Sequence, residues 1–242
     1  MTSSLSARLF AVFAVAAALL APVAFADDEK KDAGKGYDTP MPLNPFANSK
    51  EGDWYVMVAR IKPAEGTELP PSMAAPKVVE WRVTKVDGDK VTVRETESSK
   101  SAPKEHTFSK AEAPTIGQYL DMKKKGKLEV EKAEDAECKL GDTKVACKKI
   151  AFTEKNGPMT ASGKVFVSET VKGGGMVRME AEFAGPRGTI TMVGECVGHG
   201  NGDKAEWGKT FAETQEATKA EKPAKADKPE KAEPAKPEKS RK

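Results

Sequence analysis

The feature that most constrains this chain is the alternation of apolar and polar residues in short runs that glycine- and proline-rich turns separate. In residues 78–86, Val79, Trp81 and Val83 fall on one side of an extended chain, and polar residues fall on the other. Residues 91–96 alternate in the same way, and an Asp-Gly step joins the two runs. This combination predicts a tight β-hairpin, because glycine accepts the positive φ that the turn requires.

The same pattern recurs along the middle of the chain and predicts a mainly β fold: a single antiparallel meander, either a half-barrel or an open barrel. A short helix is predicted over residues 116–122, where Ile116, Tyr119, Leu120 and Met122 could share one face. The predicted strands are 53–62, 78–86, 91–96, 104–109, 128–132, 137–140, 144–153, 163–168, 175–183 and 188–194.

The N-terminal residues 1–26 have the three parts of a secretory signal peptide. Arg8 gives the positive region, residues 9–20 are apolar, and small residues precede a cleavage site near Ala26. The apolar run is too short for a retained membrane anchor, which needs about 20 apolar residues. The sequence predicts a periplasmic or secreted protein whose mature chain has no transmembrane segment.

The rest of the chain divides into three regions by composition. Residues 27–50 form a predicted linker in which Phe46 could plug one end of the core, and residues 51–211 form the β domain. Residues 212–242 contain mostly Lys, Glu, Pro and Ala, which predicts a disordered tail. This tail would either solubilise the protein or tether it to an anionic cell-envelope polymer.

The formal net charge of +3 does not indicate a nucleic-acid partner. The region between the signal peptide and the tail contains equal numbers of acidic and basic residues. Nucleic-acid-binding domains usually have a basic stripe or patch instead.

The three cysteines allow two disulfide pairings in an oxidising compartment. The predicted disulfide joins Cys138 to Cys147 across a hairpin, and Cys147 to Cys196 is the rival pairing. A four-residue loop would place the first two cysteines opposite one another, whereas a two-residue turn would place them diagonally and strain the bond. A less favoured alternative is a zinc site that uses Cys138, Cys147, Cys196 and His199; otherwise no metal and no cofactor are expected.

No catalytic residue is predicted. The sequence lacks Gly-x-Ser-x-Gly, His-Glu-x-x-His and phosphate-binding glycine loops. His106 falls in an alternating strand, and the carboxylates are scattered among lysines in a pattern typical of exposed faces.

Asn-Pro-Phe at residues 44–46 and Gly-Asp-Trp at residues 52–54 belong to several stretches that resemble a set of uncharacterised exported bacterial proteins, which have Asn-Pro-Phe and Gly-Asp/Glu-Trp near the start. That set is distantly similar to periplasmic lipoprotein-carrier-like half-barrels and to envelope-stress regulators. The resemblance implies a curved sheet around a short plug helix, here residues 116–122, with an acyl chain bound in the concave face. The stretches are 44–47, 52–54, 86–91, 141–147, 165–168 and 174–177.

Three functions are therefore considered. The first is an envelope protein that binds an apolar or lipidic ligand, or a partner segment, in a β groove. The second is a structural or interaction scaffold that its charged tail tethers. The third is a hydrolase with an unrecognised site near Cys196 and His199. An open concave face would favour the first function, and a filled core would favour the second.

Overall fold

The computed structural model describes residues 36–63, 74–97, 102–122, 126–186 and 188–202. The predicted signal peptide and C-terminal tail lie outside these residues, so both stay predictions. Within the described part of the chain, no helix combines the length and the apolar character that crossing a bilayer requires.

Ten antiparallel strands form a single sheet, which confirms the predicted mainly β fold. A short helix, α1 (Ile116–Tyr119), lies between the fourth and fifth strands. The last strand continues seven residues beyond its predicted end at Gly194. The strands are β1 (Asp53–Pro63), β2 (Lys77–Asp87), β3 (Lys90–Glu97), β4 (Lys104–Ser109), β5 (Lys127–Val130), β6 (Glu134–Leu140), β7 (Thr143–Asn156), β8 (Met159–Val167), β9 (Met176–Gly185) and β10 (Gly188–Asn201).

The sheet is open. Its strand order is β4-β3-β2-β1-β10-β9-β8-β7-β5, and β6 pairs with β7 beside β5. Most neighbours are consecutive in sequence, whereas the pairing of β1 with β10 joins the first strand to the last. This pairing places the first and last strands at the centre of the sheet, with β4 at one edge and β5 and β6 at the other.

Two tight turns fix the register of their hairpins. Asp87 pairs with Lys90, and Gly88 between them has a φ of +57°. Leu140 pairs with Thr143 around Gly141, which has a φ of +59°. Both turns have two residues, as the left-handed conformation of glycine allows.

One face of the sheet contains the main hydrophobic core. We call it the inner face, lined by Tyr55, Met57, Val79, Trp81 and Val93 among others. The opposite, outer face has a smaller buried cluster, which consists of Trp54, Val56, Val58 and Val78.

The predicted linker contributes to the main core through Tyr37, Met41 and Phe46. Phe46 is fully buried, as its predicted role as a plug requires, and its ring stacks on Phe108 with 4.1 Å between centroids. The compact part of the chain therefore includes residues from Gly36 onward.

We predict that Phe46→Ala destabilises the protein by about 3–5 kcal/mol, because truncation of a buried aromatic ring leaves a cavity. Urea denaturation followed by tryptophan fluorescence would measure the loss. Phe46→Leu should recover a large part of it, since the leucine side chain refills much of that volume. Equal urea midpoints of unfolding for the wild-type and Phe46→Ala proteins would show that Phe46 is not part of the core.

Candidate functional site

Two segments that are not strands cover the inner face of the sheet. We call residues 36–50 and 114–122 the cover. Its two parts are bonded to each other: Met41 N–H donates to the Pro114 carbonyl (2.9 Å), and Ile116 N–H donates to the Thr39 carbonyl (2.8 Å). Because these backbone bonds lie within the cover, it can be treated as one unit that packs on the sheet.

Three side chains link the cover to the sheet and its loops. Asn44 Nδ2 donates to the carbonyls of Ser109 (3.0 Å) and Lys110 (2.9 Å), at the end of β4. Tyr119 Oη donates to the Gly174 carbonyl (2.6 Å). Tyr37 Oη donates to the buried Glu154 carboxylate on β7.

A capping box stabilises the short helix of the cover. Thr115 Oγ1 accepts from Gln118 N–H (3.2 Å), and Gln118 Oε1 accepts from Thr115 N–H (2.9 Å). This reciprocal pair satisfies backbone donors at the helix start, which explains a single helical turn inside a β protein. The predicted helix over 116–122 is therefore present but shorter, since it ends at Tyr119.

A buried polar cluster lies on the inner face near β4. Glu95 is 2% exposed, and its carboxylate lies 3.2 Å from His106 Nε2 and 3.5 Å from Lys104 Nζ. Lys104 Nζ also lies 3.6 Å from an Asp121 carboxylate oxygen. The His106 ring stacks on Trp81 at 5.2 Å with an interplanar angle of 13°. His106, predicted only as a strand residue, is therefore a partly buried polar residue that packs beside the core.

Tyr55 places an unsatisfied hydroxyl in the same core. The residue is 1% exposed, and its Oη has no hydrogen-bond partner among the described residues. Burial, followed by the nearby Tyr119, Glu95 and Cys196 groups, raises the Tyr55 pKa well above its usual value. The hydroxyl therefore stays protonated and can still donate a hydrogen bond.

Cys138 and Cys147 lie together on one face of the β6–β7 hairpin. Cys138 pairs with Val145, so the two cysteines are diagonal neighbours, which is the arrangement expected for a two-residue turn. Both are thiols here, and burial together with a hydrogen bond to Cys138 raises the pKa of Cys147 to about 12. The two thiols are close enough to interact, but the diagonal register would strain a bond between them, so the pairing stays a prediction.

Cys196 and His199 lie within β10, in the part of that strand beyond its predicted end at Gly194. Their hydrogen bonds go to different groups: Cys196 Sγ lies 3.4 Å from the Gly198 carbonyl, whereas His199 Nδ1 accepts from Lys172 N–H (3.4 Å). Burial raises the Cys196 pKa to about 12, which opposes formation of a nucleophilic thiolate. The structure therefore gives no support to a hydrolase site here.

The zinc alternative is also not supported. Within the residues that the structure describes, no group of three or more His, Cys, Asp or Glu side chains is placed to hold a metal ion. Cys138, Cys147, Cys196 and His199 accordingly do not converge into a ligand set.

The sequence pattern missed several buried carboxylates. Glu95 lies on the inner face, and Glu80 lies on the outer face, yet each is 2% exposed. Alternation predicted correctly that Glu80 points away from Trp81, but it wrongly treated that side as exposed. Burial raises the Glu80 pKa to about 8, against the opposing effect of Arg82 and Arg94.

We predict that Glu80 makes the native protein less stable as the pH rises from about 4.5 to 8. The unfolded carboxyl loses its proton near pH 4.5, whereas the folded one keeps it until about pH 8, so stabilisation is complete at low pH and is lost across this window. Relative to wild type, Glu80→Gln should gain about 2–5 kcal/mol of unfolding free energy between pH 5 and pH 8.5.

Urea denaturation at both pH values would measure this gain. Glu182→Gln, which alters an exposed carboxylate on β9, is the matched control and should behave like wild type. If the free energies of unfolding of Glu80→Gln and wild type differed by the same amount at both pH values, this result would contradict the burial argument.

We predict that a Cys138–Cys147 disulfide forms when the protein is in an oxidising compartment. It would form by exchange with a disulfide oxidant, so that one disulfide is consumed, two thiols are released and the two sulfurs become bonded. Intact mass under non-reducing conditions should show the loss of two hydrogens in wild type and Cys196→Ser, but not in Cys138→Ser. Retention of that loss in Cys138→Ser would indicate the Cys147–Cys196 pairing, and three free thiols would exclude both.

Comparisons with known proteins do not assign this chain to a family. No family model matches the sequence, and none of the curated proteins is significantly similar to it. Among solved structures, it matches a crystal structure from Vibrio parahaemolyticus that is provisionally described as an outer membrane lipoprotein-sorting protein domain. That match covers 71% of this chain and 94% of the other, with 11% identity and a TM-score of 0.25. A TM-score this low does not establish a common fold.

Proposed function

We propose that this protein is an exported binding protein of the cell envelope, whose inner sheet face takes up an apolar or lipidic ligand when the cover moves aside. The observation that supports this most directly is the Tyr55 hydroxyl, which is buried without a hydrogen-bond partner among the described residues. A buried polar group left unsatisfied costs about 1–3 kcal/mol, so most native cores avoid it. A ligand with a polar end could satisfy this hydroxyl.

The amino-acid composition of the inner core is also suited to binding a ligand that can enter and leave. Methionine side chains are flexible and polarisable, and they repack around ligands of different shape more readily than branched side chains do. Six of the nine methionines in the chain belong to this core: Met41, Met57, Met122, Met176, Met179 and Met192.

The hydrogen bonds that join the two segments of the cover favour its movement away from the sheet as one unit. Its backbone hydrogen bonds join residues 37–41 to residues 114–117, and these bonds could persist while the cover moves. The links from Asn44 and Tyr119 to the carbonyls of Ser109, Lys110 and Gly174 would break, and so would the bond from Tyr37 to the Glu154 carboxylate. A net hydrogen bond contributes about 0.5–1.5 kcal/mol, or about 1.5–3 kcal/mol when it goes to a charged group, so the bond of Tyr37 is the largest polar barrier to this movement.

The scaffold function is the second candidate, because the described inner face is filled by the protein's own side chains. Tyr37, Phe46, Ile116 and Leu120 are all 1% exposed or less. A scaffold needs such a core and no movement of the cover. The charged tail that would provide its tether lies outside the described residues, and its role stays a prediction.

We predict opposite effects on stability for two buried tyrosines. Tyr55→Phe removes an unsatisfied hydroxyl and should stabilise the protein by about 1–3 kcal/mol, whereas Tyr119→Phe removes a satisfied one and should destabilise it by about 1 kcal/mol. If the ligand bonds to Tyr55, the Tyr55→Phe protein should also bind a fluorescent fatty-acid probe about two- to tenfold more weakly. Tyr119→Phe should bind the probe at least as tightly as wild type, since its cover opens more easily.

Native mass spectrometry after mild extraction provides the independent test. A copurifying lipid in the wild-type protein, lost on delipidation and restored by added fatty acid, would support the proposal. Absence of both copurifying lipid and probe binding, in wild type and in Tyr119→Phe, would contradict it and leave the scaffold function.

A further inference from the structure

The outer face of the sheet has an apolar patch that is as deeply buried as the core. Trp54, Val56 and Val58 alternate along β1 with inner-face residues, so their side chains point to the outer face. They are 6%, 0% and 1% exposed, and Val78 of the neighbouring β2 completes the group. We call these four side chains the outer cluster.

The outer cluster cannot bury itself, because its members come from two adjacent strands of one sheet. Side chains on one face of a sheet stand side by side, so their ends face water unless another layer packs on them. The cover does not supply this layer, since all of its buried apolar side chains belong to the main core. On β8 and β9, by contrast, outer-face residues such as Lys164 and Glu182 are charged and exposed. Another segment therefore packs on the β1–β2 part of the outer face.

The chain leaves its last strand beside the outer cluster and on the same face. Gly200, near the end of β10, is opposite Trp54, and a Cβ on Gly200 would lie 3.2 Å from the Trp54 ring. Arg82 of β2 is paired with Trp54 in the register, and it alternates with the inner-face residue Trp81. Its guanidinium donates to the Gly202 carbonyl (3.3 Å). The residues that follow Gly202 therefore begin at the border of the outer cluster.

The next stretch, residues 203–211, has the side chains and the length to cover the cluster. Trp207 and Phe211 are the only large apolar residues between Gly202 and the C-terminus. Their spacing of four places both on one side of the chain, in a helix and equally in a strand. Val58 lies about 13 Å from Trp54 at the rise of a strand. Nine residues span about 13 Å as a helix and about 30 Å when extended, so either form reaches it.

We propose that residues 203–211 pack on the outer cluster through Trp207 and Phe211. The connection between β1 and β2, residues 64–73, is the rival segment, but its large apolar residues are only Leu69 and Met73. Two aromatic rings bury more apolar surface than these two side chains do. This packing places the start of the lysine- and proline-rich tail on the outer face, so that a tethered tail leaves the inner face accessible. It does not depend on the proposed apolar ligand.

Limited trypsin digestion of the purified full-length protein, followed by intact mass spectrometry, tests the proposal. Lys204 and Lys209 lie in the proposed segment, whereas Lys225 lies in the tail and serves as the reference within the same chain. In wild type, cleavage after Lys204 and Lys209 should be about tenfold or more slower than after Lys225, because packed segments must open before they are cut. Trp207→Ala and Phe211→Ala should each remove most of this protection and leave cleavage after Lys225 unchanged.

A matched pair of sheet variants tests the other side of the contact. Val56→Ala on the outer face should accelerate cleavage after Lys204 and Lys209 about three- to tenfold. Val79→Ala makes the same change on the inner face of β2 and should leave these rates close to those of wild type. Equal effects of the two variants would overturn the proposal, and so would wild-type cleavage after Lys204 as fast as after Lys225.

Two further measurements identify a different occupant. If Leu69→Ala lowers the urea midpoint of unfolding and Trp207→Ala does not, the β1–β2 connection covers the cluster and the proposal is wrong. If the protection of Lys204 and Lys209 is lost on dilution, a second copy of the chain covers it, which also overturns the proposal. A lower midpoint for Trp207→Ala, with protection that does not depend on concentration, supports packing within one chain.

Discussion

The inner face of this open sheet is stable in water only because segments that are not strands cover it. A closed barrel buries its interior by pairing its own edges, whereas this sheet ends at β4 on one side and at β5 and β6 on the other. The apolar side chains between these edges must pack against something else. The cover meets this requirement with Tyr37, Phe46 and Tyr119, three aromatic rings that are each 1% exposed or less.

The cover and the edge strand β4 stabilise each other through stacked rings. Phe46 of the cover stacks on Phe108 of β4, and the ring centroids of Phe108 and Trp81 of β2 are 5.9 Å apart. Removing the cover would expose this row of aromatic rings and would leave β4 held only by its pairing with β3. Any process that opens the inner face must therefore also loosen this edge of the sheet, which couples access to the core with the stability of β4.

Local sequence was sufficient for the strands but not for the cover. Alternation and an Asp-Gly turn specify the β2–β3 hairpin, because both depend on residues that are neighbours along the chain. The burial of Tyr37, in contrast, depends on Glu154, 117 residues away, and nothing in the polar sequence around Tyr37 indicates it. The capped helical turn at 116–119 was found because its apolar spacing is local.

The candidate sites were also harder to predict, because they depend on contacts between residues that are distant along the chain. Alternation assigns Glu80 and Glu95 to opposite faces, but it cannot show that both faces are buried at these positions. The hydrogen bond from Thr96 to Glu80 and the contact of His106 with Glu95 arise only once β3 lies between β2 and β4. The sequence alone gave no reason to single out either glutamate.

Polar side chains in or beside the core occur in both halves of the sheet, and one of them is the buried carboxylate of Glu154 on β7. Tyr55, Glu80 and Glu95 lie on β1, β2 and β3, and His106 lies on β4. Across β10, the inner face of β8 and β9 is instead formed by residues such as Val165, Met179 and Phe183. An apolar layer of this kind holds the sheet together without specific chemistry, whereas a buried charge or hydroxyl lowers stability unless it has partners. Glu154 has such a partner in Tyr37, whereas the Tyr55 hydroxyl on β1 has none among the described residues, so the two halves of the sheet differ in whether the cost of a buried polar group is offset.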